Sequence, residues 1–161
     1  MTSQDAGGGT SGLLRDLRGF AKTMFFGGKL EKEREVPVEV LFLLIGYVAK
    51  ADSIVTSHEG EVFSAVMEEL DLPYGGMALA SAAFERGKSR QIVIADETAR
   101  IRALHPAGSP ELQHLLDTLI RVALADGRLF PRERAALEEI GLALGFSESA
   151  VKQRLAETGA R

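Results

Sequence analysis

The sequence predicts an all-α fold, a compact bundle of seven or eight helices with an internal pseudo-twofold repeat of a helix pair. Three observations support this prediction. A segment that begins at Ala49 recurs 74 positions later at Ala123. Apolar residues recur at helical spacing along most of the chain. No useful stretch alternates with the two-residue period of a strand.

The repeat is defined by residues that are identical in register. These pairs are Ala49/Ala123, Ala51/Ala125, Asp52/Asp126, Glu59/Glu133 and Leu70/Leu144. In each copy a helix ends, a tight turn carries the Asp, and a second helix follows with the Glu seven residues after the Asp. The repeating unit is therefore predicted to be a helix pair.

Composition favours one domain in a reducing compartment. The chain has 161 residues, and 45% of them are hydrophobic, which is enough to bury a sizeable core. The net charge of -4 argues against nucleic-acid binding, since that usually requires a basic face. Cysteine is absent, which excludes disulfides, thiol catalysis and thiolate metal sites, so we expect a cytoplasmic protein.

The N-terminal region differs from the rest of the chain. Residues 1–12 are polar and glycine-rich, do not resemble a signal peptide, and are predicted to be a disordered tail. Residues 13–25 have the pattern of a basic amphipathic helix, and a charged linker follows to residue 35. We place the helical domain at 36–156 and a frayed C-terminus at 157–161. The longest apolar run, 40–49, is far shorter than the roughly 20 residues that span a bilayer, so no transmembrane segment is expected.

Within the domain, helix start and stop signals divide the chain. The predicted helices cover, in order, 38–50, 56–70, 77–84, 96–104, 110–125, 131–144 and a short segment after 147. The first is apolar nearly all round, as expected of a central helix. We read Tyr74-Gly75-Gly76 as a turn and Gly87 as a helix end, and we expect Ser109 and Ser147 to be N-caps.

Four carboxylates are repeated in register and form the main candidate site. They are Asp52, Glu59, Asp126 and Glu133. Such hard oxygen donors suit calcium or magnesium. The alternative is structural, because Thr56-x-x-Glu59 is a capping box and Glu133 falls in a first helical turn. Neither copy has the alternating acids of a calcium-binding loop. The spacing of the four carboxylates is compatible both with cation binding and with helix capping.

Other chemical motifs are incomplete. Glu111-x-x-His114 is only one of the two motifs that a di-iron site needs, and His114 is predicted to face solvent. Gly87-Lys88-Ser89 lacks the leading glycine and the strand of a phosphate loop. His58 has no recognisable nucleophile or orienting partner. We therefore predict no catalytic residues and a protein that is not an enzyme.

The repeated turns resemble a known family. The matching stretches are LLIGYVAKADSIVTSHEGEVFSAVMEEL, AAFERGKS and LIRVALADGRLFPRERAALEEIGLALGF, which lie within 38–155. They are similar to the TerB-like domain of tellurite-resistance proteins, and most similar to the form that precedes the J domain in DjlA, a DnaJ-like co-chaperone. The resemblance implies a compact helical fold, a role in stress-linked protein assemblies, and a divalent cation at the four repeated carboxylates.

Two departures limit what the resemblance implies. Ser53 stands where the family usually has glycine after the Asp. His105-Pro106-Ala107 lacks the Asp of the J-domain signature, and no J domain or N-terminal membrane span is recognised, so stimulation of Hsp70 is not carried over.

Two functions follow as hypotheses. The first is a non-enzymatic, stress-associated module that binds a protein of unidentified nature, tuned by a divalent cation at the acidic turns. The second is a peripheral membrane adaptor that lies on an anionic surface through the basic helix 13–25. The structural alternative for that helix is docking of its apolar side onto the domain.

Overall fold

The computed structural model describes residues 32–51, 64, 67–68, 74–124 and 129–159. In these ranges six helices have defined bounds, residues 64, 67 and 68 are helical as well, and no strand is present, which confirms the all-α prediction. They are α1 (Lys32–Ala49), α2 (Tyr74–Ser89), α3 (Ile94–Arg102), α4 (Pro110–Ala123), α5 (Pro131–Ala143) and α6 (Glu148–Gly159).

Part of the predicted architecture lies outside the described residues. This holds for the helix predicted at 13–25 and for most of the one at 56–70, in which Ser64, Met67 and Glu68 are helical. Met67 packs against the core, whereas Ser64 and Glu68 are exposed. The count of seven or eight helices and the pseudo-twofold symmetry of the repeat stay predictions.

Helix α1 is the centre of the core, as the sequence predicted. It packs against α2, α3, α4 and α5. Its buried residues occupy every side of the helix and include Val40, Leu41, Phe42, Leu43, Leu44, Ile45 and Val48. The helix begins at Lys32, inside the charged run that was expected to be a linker. Pro37 is the sixth residue of α1, beyond the first turn, where proline removes one backbone hydrogen bond and its ring crowds the carbonyl four residues before it.

Helix α2 corrects two predictions. Tyr74-Gly75-Gly76 is the first turn of α2 and not a separate turn, and Gly87 lies inside the helix, which ends at Ser89. Gly87 is buried against the backbone of α1. Because Gly87 has no side chain, α1 and α2 can pack closely at this position. Gly87 does not end the helix.

The four C-terminal helices follow the predicted order. Helix α3 begins two residues before the predicted start, at Ile94. In α4 the leucines that recur at helical spacing, Leu112, Leu115, Leu116 and Leu119, are fully buried. Ser147 caps α6, since its Oγ accepts a hydrogen bond from the N–H of Ala150 at 3.1 Å. Ser109 is the N-cap residue of α4, but its side chain makes no capping hydrogen bond, contrary to expectation.

Candidate functional site

Of the four predicted cation ligands, the structure describes only Glu133. Asp52, Glu59 and Asp126 lie outside the described residues. Among the residues that are described, no group of three or more Asp, Glu or His side chains could hold a metal ion. That search leaves out three of the four carboxylates, so the cation site stays a prediction.

Glu133 has the structural role that the capping interpretation assigned to it. It is buried, with 4% of its surface exposed, in the first turn of α5. Its Oε1 accepts a hydrogen bond from the backbone N–H of Phe130 at 3.4 Å. Phe130 has no side-chain acceptor to offer in return, so only half of a capping box is formed. This contact does not conflict with cation binding, because carboxylate oxygens have several lone pairs.

The end of α1, just before the first acidic turn, is held by Arg90. This residue follows α2 and adopts a left-handed backbone conformation, with φ of 58°, which is unusual for a residue other than glycine. Its guanidinium carbon lies 4.1 Å from the centroid of the Tyr47 ring. The same group donates a hydrogen bond to the carbonyl oxygen of Tyr47 at 3.4 Å. Arg90 therefore satisfies a carbonyl in the last turn of α1.

Tyr47 also connects two helices that are far apart in the chain. Its hydroxyl donates a hydrogen bond to Oε2 of Glu139 in α5 at 2.9 Å. Burial and the bond to this carboxylate raise the pKa of Tyr47 above its ordinary value, with burial the larger cause. The hydroxyl therefore remains a donor at neutral pH and joins α1 to α5.

Three helices are tied together by a ring of alternating charges, here called the ion ring, formed by Glu39, Arg86, Glu97 and Arg100. Arg86 bridges Glu39 and Glu97, with both distances 2.8 Å. Arg100 binds both oxygens of Glu39, at 3.1 and 3.0 Å, and Glu97 at 3.0 Å. The ring connects α1, α2 and α3. The hydrogen bond from Arg100 is the main reason that the pKa of Glu39 lies below its usual value.

The other motifs noted in the sequence form no further candidate site among the described residues. His114 is exposed, as predicted. His105, not His114, approaches Glu111, with Nδ1 3.8 Å from the carboxylate. Lys88 lies over the Phe84 ring, with Nζ 5.3 Å from the centroid, and pairs with Glu85. His58 lies outside the described residues, as does the basic segment 13–25.

Sequence reasoning missed the ion ring and the contacts of Arg90. Arg86 and Arg90 flank the Gly87-Lys88-Ser89 motif, which drew attention only as an incomplete phosphate loop. The partners of these two arginines come from α1 and α3, up to 47 residues away for Arg86 and Glu39. Arg100 and Glu39, also in the ion ring, are 61 residues apart. The local sequence around Glu39 gives no signal for such a pairing.

Comparison with known proteins identifies the family of this chain. Residues 39–155 match the family described as tellurite resistance protein TerB. The chain belongs to the TerB family. The matched range begins within α1 and ends within α6, so every described helix contributes to the TerB domain.

The curated proteins that are similar to this chain include co-chaperones. The co-chaperone protein DjlA of Photobacterium profundum is 36% identical over 114 residues, which cover 71% of this chain and 41% of the relative. DjlA of Vibrio parahaemolyticus is 31% identical over 138 residues, or 85% of this chain and 49% of the relative. DjlA of Escherichia coli is 29% identical over 122 residues, or 74% and 45%.

This TerB chain spans just under half the length of the curated relatives that it matches. No solved structure matches it. In the part of the chain that the structure describes, none of the helices is both long enough and apolar enough to span a bilayer.

Proposed function

We propose that this TerB-family chain is a non-enzymatic protein-interaction module of the co-chaperone type. The observation that carries the proposal is the match to DjlA over most of the TerB domain, because those relatives are named as co-chaperones, a name that denotes work beside another protein. The cysteine-free composition agrees with a reducing, cytoplasmic environment, and the family's description as tellurite resistance protein agrees with a stress-associated role.

The mechanism is presentation of a rigid helical surface. Two sets of contacts connect the helices: the ion ring joins α1, α2 and α3, and the hydrogen bond from Tyr47 to Glu139 joins α1 to α5. Each fixes the position of one helix relative to another. A preorganised surface loses less conformational entropy when a partner binds, which favours specific recognition by such a frame.

We propose further that a divalent cation, calcium or magnesium, orders this surface. Asp52, Glu59, Asp126 and Glu133 would supply carboxylate oxygens, the donors that both ions prefer. Such an ion would order the turns before the second helices of the two copies, and with them the adjacent surface. The repetition of all four acids in register supports this assignment.

The test is identification of a partner followed by reconstitution. Photo-reactive residues at exposed positions on different helices, such as Met77, Leu142 and Gln153, would trap partners in cells that produce the full chain. We expect one partner to recur and, once purified, to bind with a micromolar or lower Kd. The proposal is wrong if no trapped protein binds the purified chain in isolation.

A peripheral membrane adaptor is the second candidate. It is favoured by the amphipathic pattern of 13–25, in which Arg15, Arg18 and Lys22 lie opposite an apolar stripe. Co-sedimentation of the full chain with anionic liposomes at low salt, compared with a Leu14→Glu, Leu17→Glu variant, tests it. Binding that is lost in the variant would support the adaptor, and no sedimentation of either chain would exclude it.

A further inference from the structure

Helix α3 is attached to the hydrophobic core by few side chains. With nine residues it is the shortest helix of defined bounds, and its buried side chains form one stripe of Ile94, Thr98 and Ile101. Only the two isoleucines of this stripe are apolar. Helix α4, by comparison, buries four leucines, an isoleucine and an alanine. A small buried apolar surface is typical of the parts of a protein that open locally.

The buried hydroxyl of Thr98 does not connect α3 to another helix. Its Oγ1 donates to the carbonyl oxygens of Ile94 at 2.7 Å and Ala95 at 3.2 Å, and both residues belong to α3. These hydrogen bonds move with the helix. Thr98 therefore loses no hydrogen bond to another helix when α3 moves away from the core.

Polar side chains make the other contacts of α3. In the ion ring, Glu97 binds the arginine of α2 at 2.8 Å, and Arg100 binds the glutamate of α1 at 3.0 and 3.1 Å. Arg102 donates to the carbonyl oxygen of Ala143 in α5 at 3.4 Å. The ring is partly open to water, since 37% of the Arg100 side chain is exposed. Water and salt therefore compete with these contacts more than with a buried pair.

The connections on both sides of α3 contain a residue with a positive φ. Arg90, with φ of 58°, precedes the helix, and Gly108, with φ of 82°, follows it. A few connection residues that absorb backbone rotation are sufficient as hinges. A Cβ on Gly108 would meet nothing within 4 Å, so the space around this residue is open. Arg90 is held to α1 by Tyr47, so its end of the connection is fixed.

From these observations we infer that α3 is a lid that opens as a unit on hinges at Arg90 and Gly108, and that the ion ring holds it closed. Helix α3 packs against α1 and α5. Opening uncovers the apolar sides of these two helices that Ile94 and Ile101 cover, and so changes the surface that the domain presents. The lid requires neither a partner nor a cation, so it goes beyond the proposed function.

Native-state hydrogen exchange of the full chain, followed by NMR, measures the opening directly. The amides of residues 98–102 report on α3, and those of 115–120 report on the buried helix α4. We expect the α3 amides to be at least about a hundredfold less protected than the α4 amides, because local opening exposes the first set and global unfolding the second.

Two substitutions distinguish a lid from an ordinary core helix. Arg100→Gln removes the charge that binds α1 and should lower α3 protection about tenfold. Val151→Ala removes buried methyl groups of α6 that pack against Gly141 of α5. It lowers global stability and should reduce α4 protection at least about tenfold. It should change α3 protection less than about twofold, because α6 stays in place when the lid opens.

Lys152→Gln is the matched control for Arg100→Gln, because it also removes one positive charge but from an exposed ion pair of α6. It should change α3 protection less than about twofold. Raising the salt concentration from about 0.05 M to about 0.5 M should lower α3 protection about threefold in the wild-type chain. The salt effect should be smaller in Arg100→Gln, which has already lost the ring.

Three results would overturn the inference. One is equal protection of the α3 and α4 amides, and another is an equal loss from both helices in Val151→Ala, since each would mean that α3 opens only by global unfolding. The third is an equal effect of Arg100→Gln and Lys152→Gln on α3, which would mean that the ring does not hold the lid closed. None of these results bears on the interaction function, because no partner is present in the experiment.

Discussion

Gly46 of α1 and Gly87 of α2 lie at one helix crossing, and each faces the backbone of the opposite helix. A Cβ on Gly46 would collide with the carbonyl oxygen of Phe84, and one on Gly87 with the carbonyl oxygen of Leu43 and, at 2.9 Å, with the amide nitrogen of Tyr47. Both obstacles are main-chain atoms, which cannot rotate away. The central helix and α2 can therefore approach this closely only because both positions lack a side chain.

Substitution at this crossing is expected to be severely destabilising. Gly46→Ala or Gly87→Ala forces the two helices apart, so each should lower the free energy of unfolding by about 2 kcal/mol or more, measured by denaturant titration. Gly75→Ala is the matched control in α2, because a Cβ there meets nothing within 4 Å. It should be neutral or stabilise by roughly 0.5–1 kcal/mol. Similar effects at Gly75 and Gly87 would contradict the crossing.

The ion ring should make stability depend on acid pH. Glu39→Gln removes the charge that pairs with Arg100 and Arg86 and should cost about 1–2 kcal/mol at pH 7. Because the folded pKa of Glu39 lies below its usual 4.5, its contribution is present above that pH and is lost as the pH falls through the lower, folded value. The difference between variant and wild type, followed by denaturant titration, should therefore shrink below about pH 4.5.

An exposed pair serves as the control for the ion ring. Glu148 and Lys152 are separated by 2.9 Å but are open to solvent at the start of α6. Glu148→Gln should leave the midpoint of unfolding unchanged at any pH, because solvent screens the pair. If Glu39→Gln behaves in the same way, the ring does not contribute to stability.

Two opposing effects should determine the stability of Arg90 variants: the strain of the left-handed backbone and the contacts of the side chain. Arg90→Ala loses the stacking on Tyr47 and the hydrogen bond to its carbonyl but keeps the left-handed backbone, and it should destabilise by about 1–2 kcal/mol. Arg90→Gly loses the same contacts but relieves the strain, so it should be more stable than Arg90→Ala by about 1 kcal/mol. Thermal unfolding of both variants checks this order. Equal stability of Arg90→Ala and wild type would show that the Arg90 contacts are not stabilising.

The acidic turns are tested by calorimetric titration of calcium, magnesium and manganese into chelator-treated protein. We expect micromolar binding by the wild-type chain and none by an Asp52→Asn, Asp126→Asn variant, because both lose a charged oxygen donor. Glu85→Gln, which alters an exposed carboxylate of α2, should bind normally. Absence of binding by the wild-type chain would leave Glu133 as a helix cap alone.

Whether a contact in the site could be predicted depends on how far apart its two residues lie in the sequence. The role of Glu133 at the start of α5 follows from its position in a first turn, so capping was foreseen from local sequence. The partners of Glu39 and Tyr47 come from helices far along the chain, and no periodicity specifies which charged side chains will meet. Gly87 was taken for a helix end because glycine is common there, but packing against α1 determined its position.

By itself, the sequence determined the all-helical class and the burial of the central apolar helix, because periodicity and capping are properties of neighbouring residues. Only the tertiary structure decided that Gly46 and Gly87 meet and that four charges close into a ring. These features depend on how whole helices pack. Packing is a collective balance of volume and charge that no short segment encodes.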